Sequence, residues 1–453
     1  MTATAPDADV GSSLAKEGAR AGVTMLDLRY GLEDKPGPVP AVLFGLQHVL
    51  VMFTAMIASP LVIGQLLNLS PELRATMVTG VMLGCGIGTV ISALGLGFVG
   101  ARLPLLLGAY AVYIGPVVAM AKATSLGAAT TAMIIGGLVL FALSPVIGKL
   151  RNLFPPVVVG ALLVITGVTL IRIAVNIAAG TNTPYAGHPL TIWLVVGSIL
   201  LILAINRLTT GFLRALSVFI ALVCLYLIAI PLGLADFTAV ANAPWFRLPS
   251  IIPYGGLQRP DTGALVTVIV YHLVAAIYTM SITLALCKML AIEGSERRIR
   301  GAVAADGLGS ALAALFGGVP LISYDQNVGA ISLTGVGSRF VVAVAGAILI
   351  AMALLPKIGA IIAIVPPFVL GGTLIFMFAM IAAVGVGILA DSMRTQRDLL
   401  LLAASLGLST AVNFAPPAIF EAVPQALRIL ASDGIVVGTV MAVVLNLVLP
   451  GRD

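Results

Sequence analysis

Apolar residues run along this chain in long stretches that are separated by short polar gaps. An α-helix needs about 20 mostly apolar residues to cross a bilayer, and stretches such as AVVLNLVLP follow one another on that scale. A membrane-spanning barrel would instead show segments of about ten residues with alternating polarity. The pattern therefore predicts a polytopic membrane protein built from helices.

The apolar stretches form two sets of about seven predicted spans. The first set is predicted at residues 41–64, 72–96, 104–121, 126–148, 153–176, 190–206 and 211–232. A polar stretch at 237–261 follows, and the second set is predicted at 262–290, 299–317, 321–335, 338–360, 366–390, 398–414 and 433–449. An odd number of spans per set means that the second set enters the membrane from the opposite side. The expected fold class is therefore an all-α polytopic membrane protein with about fourteen transmembrane segments in two inverted seven-span repeats.

Composition and charge agree with this class. Hydrophobic residues make up 60% of the chain and charged residues 9%, and the mean hydropathy of +1.14 excludes a water-soluble globular protein. The net charge of +6 comes from basic residues in the gaps, where the positive-inside rule explains them without a nucleic-acid partner. We expect a multi-pass protein of the bacterial cytoplasmic (inner) membrane with both termini in the cytoplasm. The start, MTATAPDADVGSS, does not resemble a cleaved signal, so residues 1–38 are expected to form a cytoplasmic tail.

The cysteines and histidines do not have the spacing of a metal or haem site. Each lies in a separate segment of the chain, with no paired spacing: Cys85, Cys224, Cys287, His48, His188 and His272. We therefore expect no metal and no cofactor.

The third predicted span of each set is short and is interrupted by Gly, Pro and polar residues. These spans read LPLLLGAYAVYIGPV and VPLISYDQNVGAISLTG. Interrupted spans at corresponding positions of two repeats indicate a binding site near the membrane midplane, although Gly and Pro are also common in ordinary membrane helices. Asp325, Gln326 and Asn327 lie together in the second of these spans, where polar groups are costly without partners. The Gln carboxamide offers a donor and an acceptor, which match the N–H and C=O edge of an oxopurine or pyrimidine.

The segment QNVGAISLTG, residues 326–335, resembles the signature of the nucleobase-ascorbate transporter family: Gln or Glu, Asn, any residue, Gly, four variable residues and Thr. Further resemblance lies in GLQHVLVMF, ADGLGSALAALFGG, SRF and VPPFVLGGTLIFMF, so it covers roughly residues 38–450. It implies short strands or half-helices in spans 3 and 10 beside the substrate, and a homodimer formed through a gate domain.

The resemblance also implies the division of the chain. A core domain would comprise residues 39–149 (spans 1–4) and 262–360 (spans 8–11), and a gate domain residues 150–236 (spans 5–7) and 361–450 (spans 12–14). Residues 237–261 would form an extracytoplasmic connection between the two halves.

The same resemblance assigns candidate site residues. Those expected to bind substrate are Gln326, Asn327, Asp325, Tyr278, Tyr110, Ala109 and Gly329. Those expected to couple protons or to organise the site are Asp306, His48, Gln47 and Thr334. Asp306 alternatively makes a structural pair with a Ser, a Thr or a backbone group, and His48 is alternatively a core histidine with satisfied hydrogen bonds.

One departure from the family pattern concerns span 8. The family normally has a Glu there that bonds the base, and IYTMSITLA places Tyr278 at that position. A phenol can bond a ring nitrogen or oxygen, but it offers no carboxylate near neutral pH. Asp325 either supplies the missing charge or only caps the half-helix that follows it.

The function that the resemblance implies is secondary active transport of a nucleobase. Gln326 and Gly335 in the QN signature favour a xanthine- or urate-type oxopurine, with uracil next. Symport with H⁺ (Na⁺ is the alternative) would proceed by an elevator-like movement of core against gate. The replaced Glu leaves open a transporter of the same fold for another small solute or anion. We find neither a Walker motif, nor a clustered catalytic set, nor a repeated filter ring, which argues against an ATPase, an enzyme and a channel.

Overall fold

The computed structural model describes residues 28–148, 154–180 and 186–449. Most of the predicted tail therefore lies outside the described residues, as do the domain boundaries predicted near residues 149 and 450. Within the described ranges the chain is mainly α-helical, and its sheet consists of two short strands.

The described residues of the first half form eight α-helices and one strand. In chain order they are α1 (Pro38–Leu66), α2 (Pro71–Leu94), β1 (Leu107–Ala109), a 3-10 helix (Ala111–Tyr113), α3 (Ile114–Ala123), α4 (Leu126–Leu143), α5 (Pro156–Ala178), α6 (Pro189–Leu208), α7 (Gly211–Ala215) and α8 (Ser217–Ala229).

The second half follows the short helix α9 (Thr238–Asn242). It contains α10 (Thr262–Met289), α11 (Glu296–Leu315), β2 (Leu321–Ser323), α12 (Gln326–Thr334), α13 (Arg339–Ala353), α14 (Pro356–Ala363), α15 (Pro367–Ser392), α16 (Gln396–Phe414), a 3-10 helix (Pro417–Ala422), α17 (Gln425–Ala431) and α18 (Gly434–Val448).

Seven of the described helices are long and apolar enough to cross a membrane by themselves. An eighth span is possible if α13 and α14, which meet at a bend of 84°, cross together. Pro356 begins α14 and explains that break, because proline cannot continue a helix ladder. The predicted span at 211–232 is likewise divided into α7 and α8, and α17 lies in a segment where no span was predicted. A helical multi-pass protein is confirmed, whereas the count of about fourteen spans stays a prediction.

The helices pack as two groups. The first helix group consists of α1–α4 and α10–α14 with both strands, and its helices approach closely at small residues. A Cβ atom on Gly84 would lie 2.4 Å from the Cβ of Ala313, and one on Gly137 would lie 2.7 Å from the Gly307 carbonyl oxygen. The second helix group consists of α5, α6, α8, α15, α16 and α18, where α5 and α15 cross at Gly160 and Gly385. The short helices α7 and α17 contact both groups.

The packing repeats between the two halves of the chain. Helix α4 of the first half packs on α11 of the second half, and the corresponding helices, α13 of the second half and α2 of the first, pack on each other in the same way. Strand β1 of the first half likewise pairs with β2 of the second. The helices α2 and α11, and likewise α5 and α15, are corresponding elements that pack on each other. A two-fold axis that relates two inverted repeats requires reciprocal contacts of this kind.

The chain turns at two opposite faces of this bundle. The first face holds the start of α1, where Arg298 donates to the carbonyl of Arg102 and Arg339 forms a 2.7 Å ion pair with Glu33. The second face holds the 237–261 connection, where the Tyr254 hydroxyl donates to the Gly317 carbonyl. The candidate site lies between these two faces.

Candidate functional site

Two short strands meet in the interior of the first helix group. β1 and β2 pair antiparallel, with Leu107 opposite Ser323 and Ala109 opposite Leu321. Side chains from neighbouring helices hold each strand, since Thr89 of α2 accepts from Leu107 N at 3.0 Å and Ser310 of α11 accepts from Leu321 N at 2.9 Å. The pair is therefore a fixed platform rather than a flexible loop.

The strands approach each other so closely that one position requires glycine. A Cβ atom on Gly108 would lie 2.3 Å from the ring of Tyr324, which follows β2. The Tyr324 hydroxyl in turn donates to the Ala109 carbonyl. Ala109 thus contributes a buried backbone contact to the strand pair, and the buried Tyr324 ring covers the strand pair at Gly108.

A half-helix begins after each strand. The 3-10 helix and α3 follow β1, and α12 follows β2, so both helix N-termini lie at the strand pair. Asp325 caps α12, and its Oδ1 accepts from Gln326 N at 2.9 Å. Gly335 ends α12 with the left-handed φ of 68°, next to Thr334, whose hydroxyl bonds the Ala330 carbonyl. The broken spans 3 and 10 predicted from the sequence are confirmed, and Thr334 lies at the far end of α12 from the strands.

Gln326 and Asn327 are neighbours at the start of α12, and their side chains differ in hydrogen bonding. Asn327 is buried and its Nδ2 donates to the Pro104 carbonyl, which precedes β1. Its side chain also faces His48, which is buried on α1. The buried Oε1 of Gln326 accepts no hydrogen bond from any residue that the structure describes, and the same is true of Asn327 Oδ1. Asn327 thus ties α12 to the segment before β1, and Gln326 retains a vacant acceptor.

Two stacked tyrosine rings, here called the aromatic wall, and a carboxylate lie at the start of α12, where Gln326 is the first helical residue. The rings of Tyr110 and Tyr278 stack at 6.0 Å with an interplanar angle of 14°. The Tyr278 hydroxyl faces the Asp325 carboxyl group. The structure therefore brings four predicted residues to one place: Tyr110, Tyr278, Asp325 and Gln326. Asp325 caps α12 and also lies beside Tyr278, the residue that we aligned with the family Glu.

Asp306 lies behind the strands and contacts three groups. Its carboxylate accepts from Ser323 N at 3.0 Å, from Ser323 Oγ at 2.9 Å and from the Thr279 hydroxyl. It is buried on α11. Asp306 therefore joins β2 to α10, one residue from Tyr278.

The remaining predicted residues lie further out. Gln47 is half-buried beside His48 on α1, and Gly329 is exposed on α12, with open space around the position of a Cβ atom. Sequence reasoning missed Ser323 and Tyr324 because nothing in a single sequence distinguishes them from other polar residues of the broken span.

A cavity of about 600 Å³ opens between the two helix groups toward the first face. Met280, Ser281 and Leu284 of α10 line one side, and α5, α15, α16 and α18 line the other. Met280 and Ser281 follow Tyr278 within one helical turn. The cavity wall therefore lies within one turn of Tyr278 on α10, and none of the candidate site residues lines the cavity.

Comparison with known proteins agrees with this arrangement. The chain matches the model of the Permease family over residues 40–418. It belongs to the nucleobase-ascorbate transporter family. Membership confirms the resemblance of the QNVGAISLTG segment, and it makes the chain a membrane permease rather than an enzyme.

Curated members of the family align along nearly the whole chain. The uric acid permease PucJ of Bacillus subtilis is 33% identical over 415 residues, covering 90% of this chain and 92% of its own. The xanthine permease of the same organism is 32% identical over 407 residues, covering 89% of this chain and 92% of its own.

Solved structures share the fold at low sequence identity. The transmembrane domain of the cyanobacterium bicarbonate transporter BicA superposes with a TM-score of 0.59 at 17% identity, covering 84% of this chain and 97% of that domain. SLC26A9 superposes with a TM-score of 0.61 at 12% identity, covering 90% of this chain and 65% of that one. These likenesses establish the fold alone.

Proposed function

We propose that this permease is a secondary active transporter that carries a xanthine- or urate-type oxopurine, with uracil as the next candidate, in symport with H⁺. The single observation that carries this proposal is the vacant Gln326 acceptor at the start of α12, where Asp325 faces Tyr278 and the Tyr278 ring stacks on Tyr110. A flat ring lies against the aromatic wall, while its edge bonds to the Gln326 carboxamide.

Asp325 favours a ring with N–H donors over an inorganic anion. Free N–H groups and the dipole at the start of α12 would attract an anion. The Asp325 carboxyl group occupies that helix terminus and accepts from Gln326 N. A ring N–H is a suitable partner for the remaining carboxylate oxygen, whereas a sulfate-type anion would be repelled. This distinguishes the oxopurine from the alternative, another small solute or anion carried by the same fold.

The transport step in this proposal is an elevator-like movement. The first helix group acts as the core domain and carries the site, and the second acts as the gate domain. The cavity between them is the passage between the site and the first face. Since basic residues such as Arg298 and Arg339 bond at the first face, we place that face and both termini in the cytoplasm of a bacterial cell.

A homodimer through the gate domain is part of the proposal. Helix α6 presents large apolar side chains outward: Trp193 is 71% exposed and Leu200 60%. In a membrane protein such a surface faces lipid or another subunit. Crosslinking through a cysteine introduced at Leu200 tests the dimer.

The function is tested by thermal stabilisation of the detergent-solubilised protein. The panel contains xanthine, urate, hypoxanthine, guanine, adenine, uracil, thymine, ascorbate and sulfate. A ligand that binds only the folded state raises its melting temperature. We expect the largest shift with xanthine or urate; a shift with sulfate alone would contradict the proposal in favour of an anion carrier.

A further inference from the structure

A row of tyrosines leads from the candidate site toward the second face. Tyr278 stacks on Tyr110, the Tyr110 ring lies 6.0 Å from that of Tyr113, and the Tyr113 ring lies 5.7 Å from that of Tyr271. Tyr110, Tyr113 and Tyr271 are each at most 7% exposed. On α10, Tyr271 lies about 10 Å from Tyr278 along the helix axis. We call these four residues the tyrosine row.

The outer end of the tyrosine row meets a carboxylate from the other helix group. Asp433 caps α18, accepting from Ile435 N at 2.9 Å and Val436 N at 3.1 Å. Its carboxyl group faces the Tyr271 hydroxyl. Its Oδ2 also lies 3.3 Å from the position of a Cβ atom on Gly115 of α3. Asp433 of the second helix group therefore touches two elements of the first.

Polar atoms along the tyrosine row have no protein partner. The hydroxyls of Tyr110, Tyr113 and Tyr271 and the Nε2 atom of His272 are buried, and none of them makes a hydrogen bond within the described part of the chain. The Asp433 carboxyl group therefore faces the Tyr271 hydroxyl without bonding to it directly. The His272 Nδ1 atom lies 2.8 Å from the Val268 carbonyl and must be the donor there, so Nε2 is left as an acceptor. The Tyr113 and His272 rings are 5.1 Å apart. Buried polar atoms of this kind are usually satisfied by ordered water, which gives the row the means to pass protons.

The charged groups at the row lie at its ends and behind its middle. Asp325 faces Tyr278 at the inner end, and Asp433 faces Tyr271 at the outer end. Asp306 lies near Tyr113 but is held by Ser323 and Thr279. The groups that face Asp433 are Tyr271 and the N–H groups of Ile435 and Val436, with no Lys or Arg among the described residues. Two carboxyl groups are thus connected by hydroxyl-bearing rings.

We propose that Asp433 is the residue at which protons enter from the second face, and that the tyrosine row conducts them to Asp325. This rests on the proposed H⁺ symport. The protonated Asp433 carboxyl gives its proton to the row, each hydroxyl or bridging water accepts one proton and releases another, and the Asp325 carboxylate takes up the last. One proton moves inward, and the row ends unchanged apart from the reorientation of its hydroxyls.

Because Asp433 lies on the second helix group, this proton transfer depends on whether the two helix groups are in contact. When the groups separate at the second face, Asp433 leaves Tyr271 and exchanges protons with solvent. When they close, as in this structure, Asp433 faces the row and is connected to the site. A proton therefore passes only in step with the movement of the two groups, which is what coupling requires.

The test uses the full chain reconstituted in proteoliposomes with radiolabelled xanthine, at fixed internal pH and varied external pH. Wild-type uptake should rise as external pH falls. Asp433→Asn keeps the helix cap, and Tyr271→Phe removes only the hydroxyl. Both variants should lose uptake at acidic external pH by at least about tenfold and become insensitive to external pH. Xanthine counterflow, which needs no net proton movement, and thermal stabilisation by xanthine should remain, and Asp433→Glu should restore the pH response.

Asp236→Asn is the matched control, since Asp236 is an exposed carboxylate between α8 and α9. The pKa of Asp236 lies below its usual value because Thr238 donates to it from Oγ1 and from the backbone. This carboxyl stays ionised over the pH range tested, so its variant should behave as the wild type.

Three results would overturn the proposal. The first is an Asp433→Asn variant whose uptake still responds to external pH as the wild type does. The second is uptake by the wild type that does not change with external pH. The third is an equal loss of uptake and counterflow in Asp433→Asn, which would make Asp433 a purely structural contact. Failure of the proposed function itself is distinguishable, because it appears as absence of xanthine stabilisation and counterflow in the wild type.

Discussion

The Asp306 carboxylate on α11 binds Ser323 of β2 at two points, accepting from its backbone N at 3.0 Å and from its Oγ at 2.9 Å. The strand pair depends on this contact, because Ser323 is buried and has no solvent to bond instead. An amide at this position would present an NH₂ group toward at least one of these donors.

Asp306→Asn should therefore destabilise the protein by about 1–3 kcal/mol. Thermal unfolding in detergent measures this. Asp391→Asn is the control, since Asp391 is exposed at the end of α15 and should melt as the wild type. An unchanged melting temperature for Asp306→Asn would show that this carboxylate does not hold the strand.

Gly108→Ala tests the close approach of the strands. The added Cβ would lie 2.3 Å from the Tyr324 ring, so the ring must move and its bond to the Ala109 carbonyl is disturbed. We expect a loss of about 1–3 kcal/mol in unfolding free energy. Gly407→Ala on α16, with open space around it, should be neutral or slightly stabilising. Equal stability of both variants would contradict the described packing.

Gln326→Ala removes the vacant acceptor of the site. Losing a buried hydrogen-bonding group costs about 1–3 kcal/mol, which corresponds to roughly a tenfold to hundredfold weaker affinity. Titration of xanthine by calorimetry measures this change. Ser332→Ala on the same helix removes only a bond to the Gly329 carbonyl and should bind normally. Normal affinity in Gln326→Ala would remove Gln326 from the site.

Tyr278 and Asp325 should act as a unit, because the phenol faces the carboxyl group. Tyr278→Phe and Asp325→Asn should each weaken xanthine binding by roughly tenfold, and the double variant should lose less than the two effects combined, with a coupling of about 0.5–3 kcal/mol. A double-mutant cycle on the dissociation constants measures this. Strict additivity would mean that the two side chains act independently.

The sequence predicted where the two broken spans lie, and it did not predict the contacts between them. Gly and Pro in LPLLLGAYAVYIGPV indicated one broken span, because proline interrupts the hydrogen bonds of a helix. The polar triplet that begins at Asp325 indicated the other, because polar groups at membrane depth need partners. The family signature then pointed to Gln326. The strands themselves, only three residues each, carry no pattern long enough to define their register.

Other features depend on contacts between distant segments. Asn327 and Gln326 look equivalent in the sequence, and only the fold gives the Asn327 amide a partner at Pro104 while the Gln326 Oε1 atom has none among the described residues. The approach of Asp433 to Tyr271 joins segments far apart in the chain. Such pairings are decided by packing of the two helix groups, which no local pattern encodes. The division into core and gate domains stays a prediction.

The most direct test of the central claim is counterflow of radiolabelled xanthine in proteoliposomes preloaded with unlabelled xanthine, with wild type, Gln326→Ala and Ser332→Ala in parallel. We expect transient accumulation of label with the wild type and Ser332→Ala and none with Gln326→Ala. Absence of counterflow by folded wild-type protein with xanthine, urate and uracil alike would contradict nucleobase transport, and accumulation with Gln326→Ala would contradict the site.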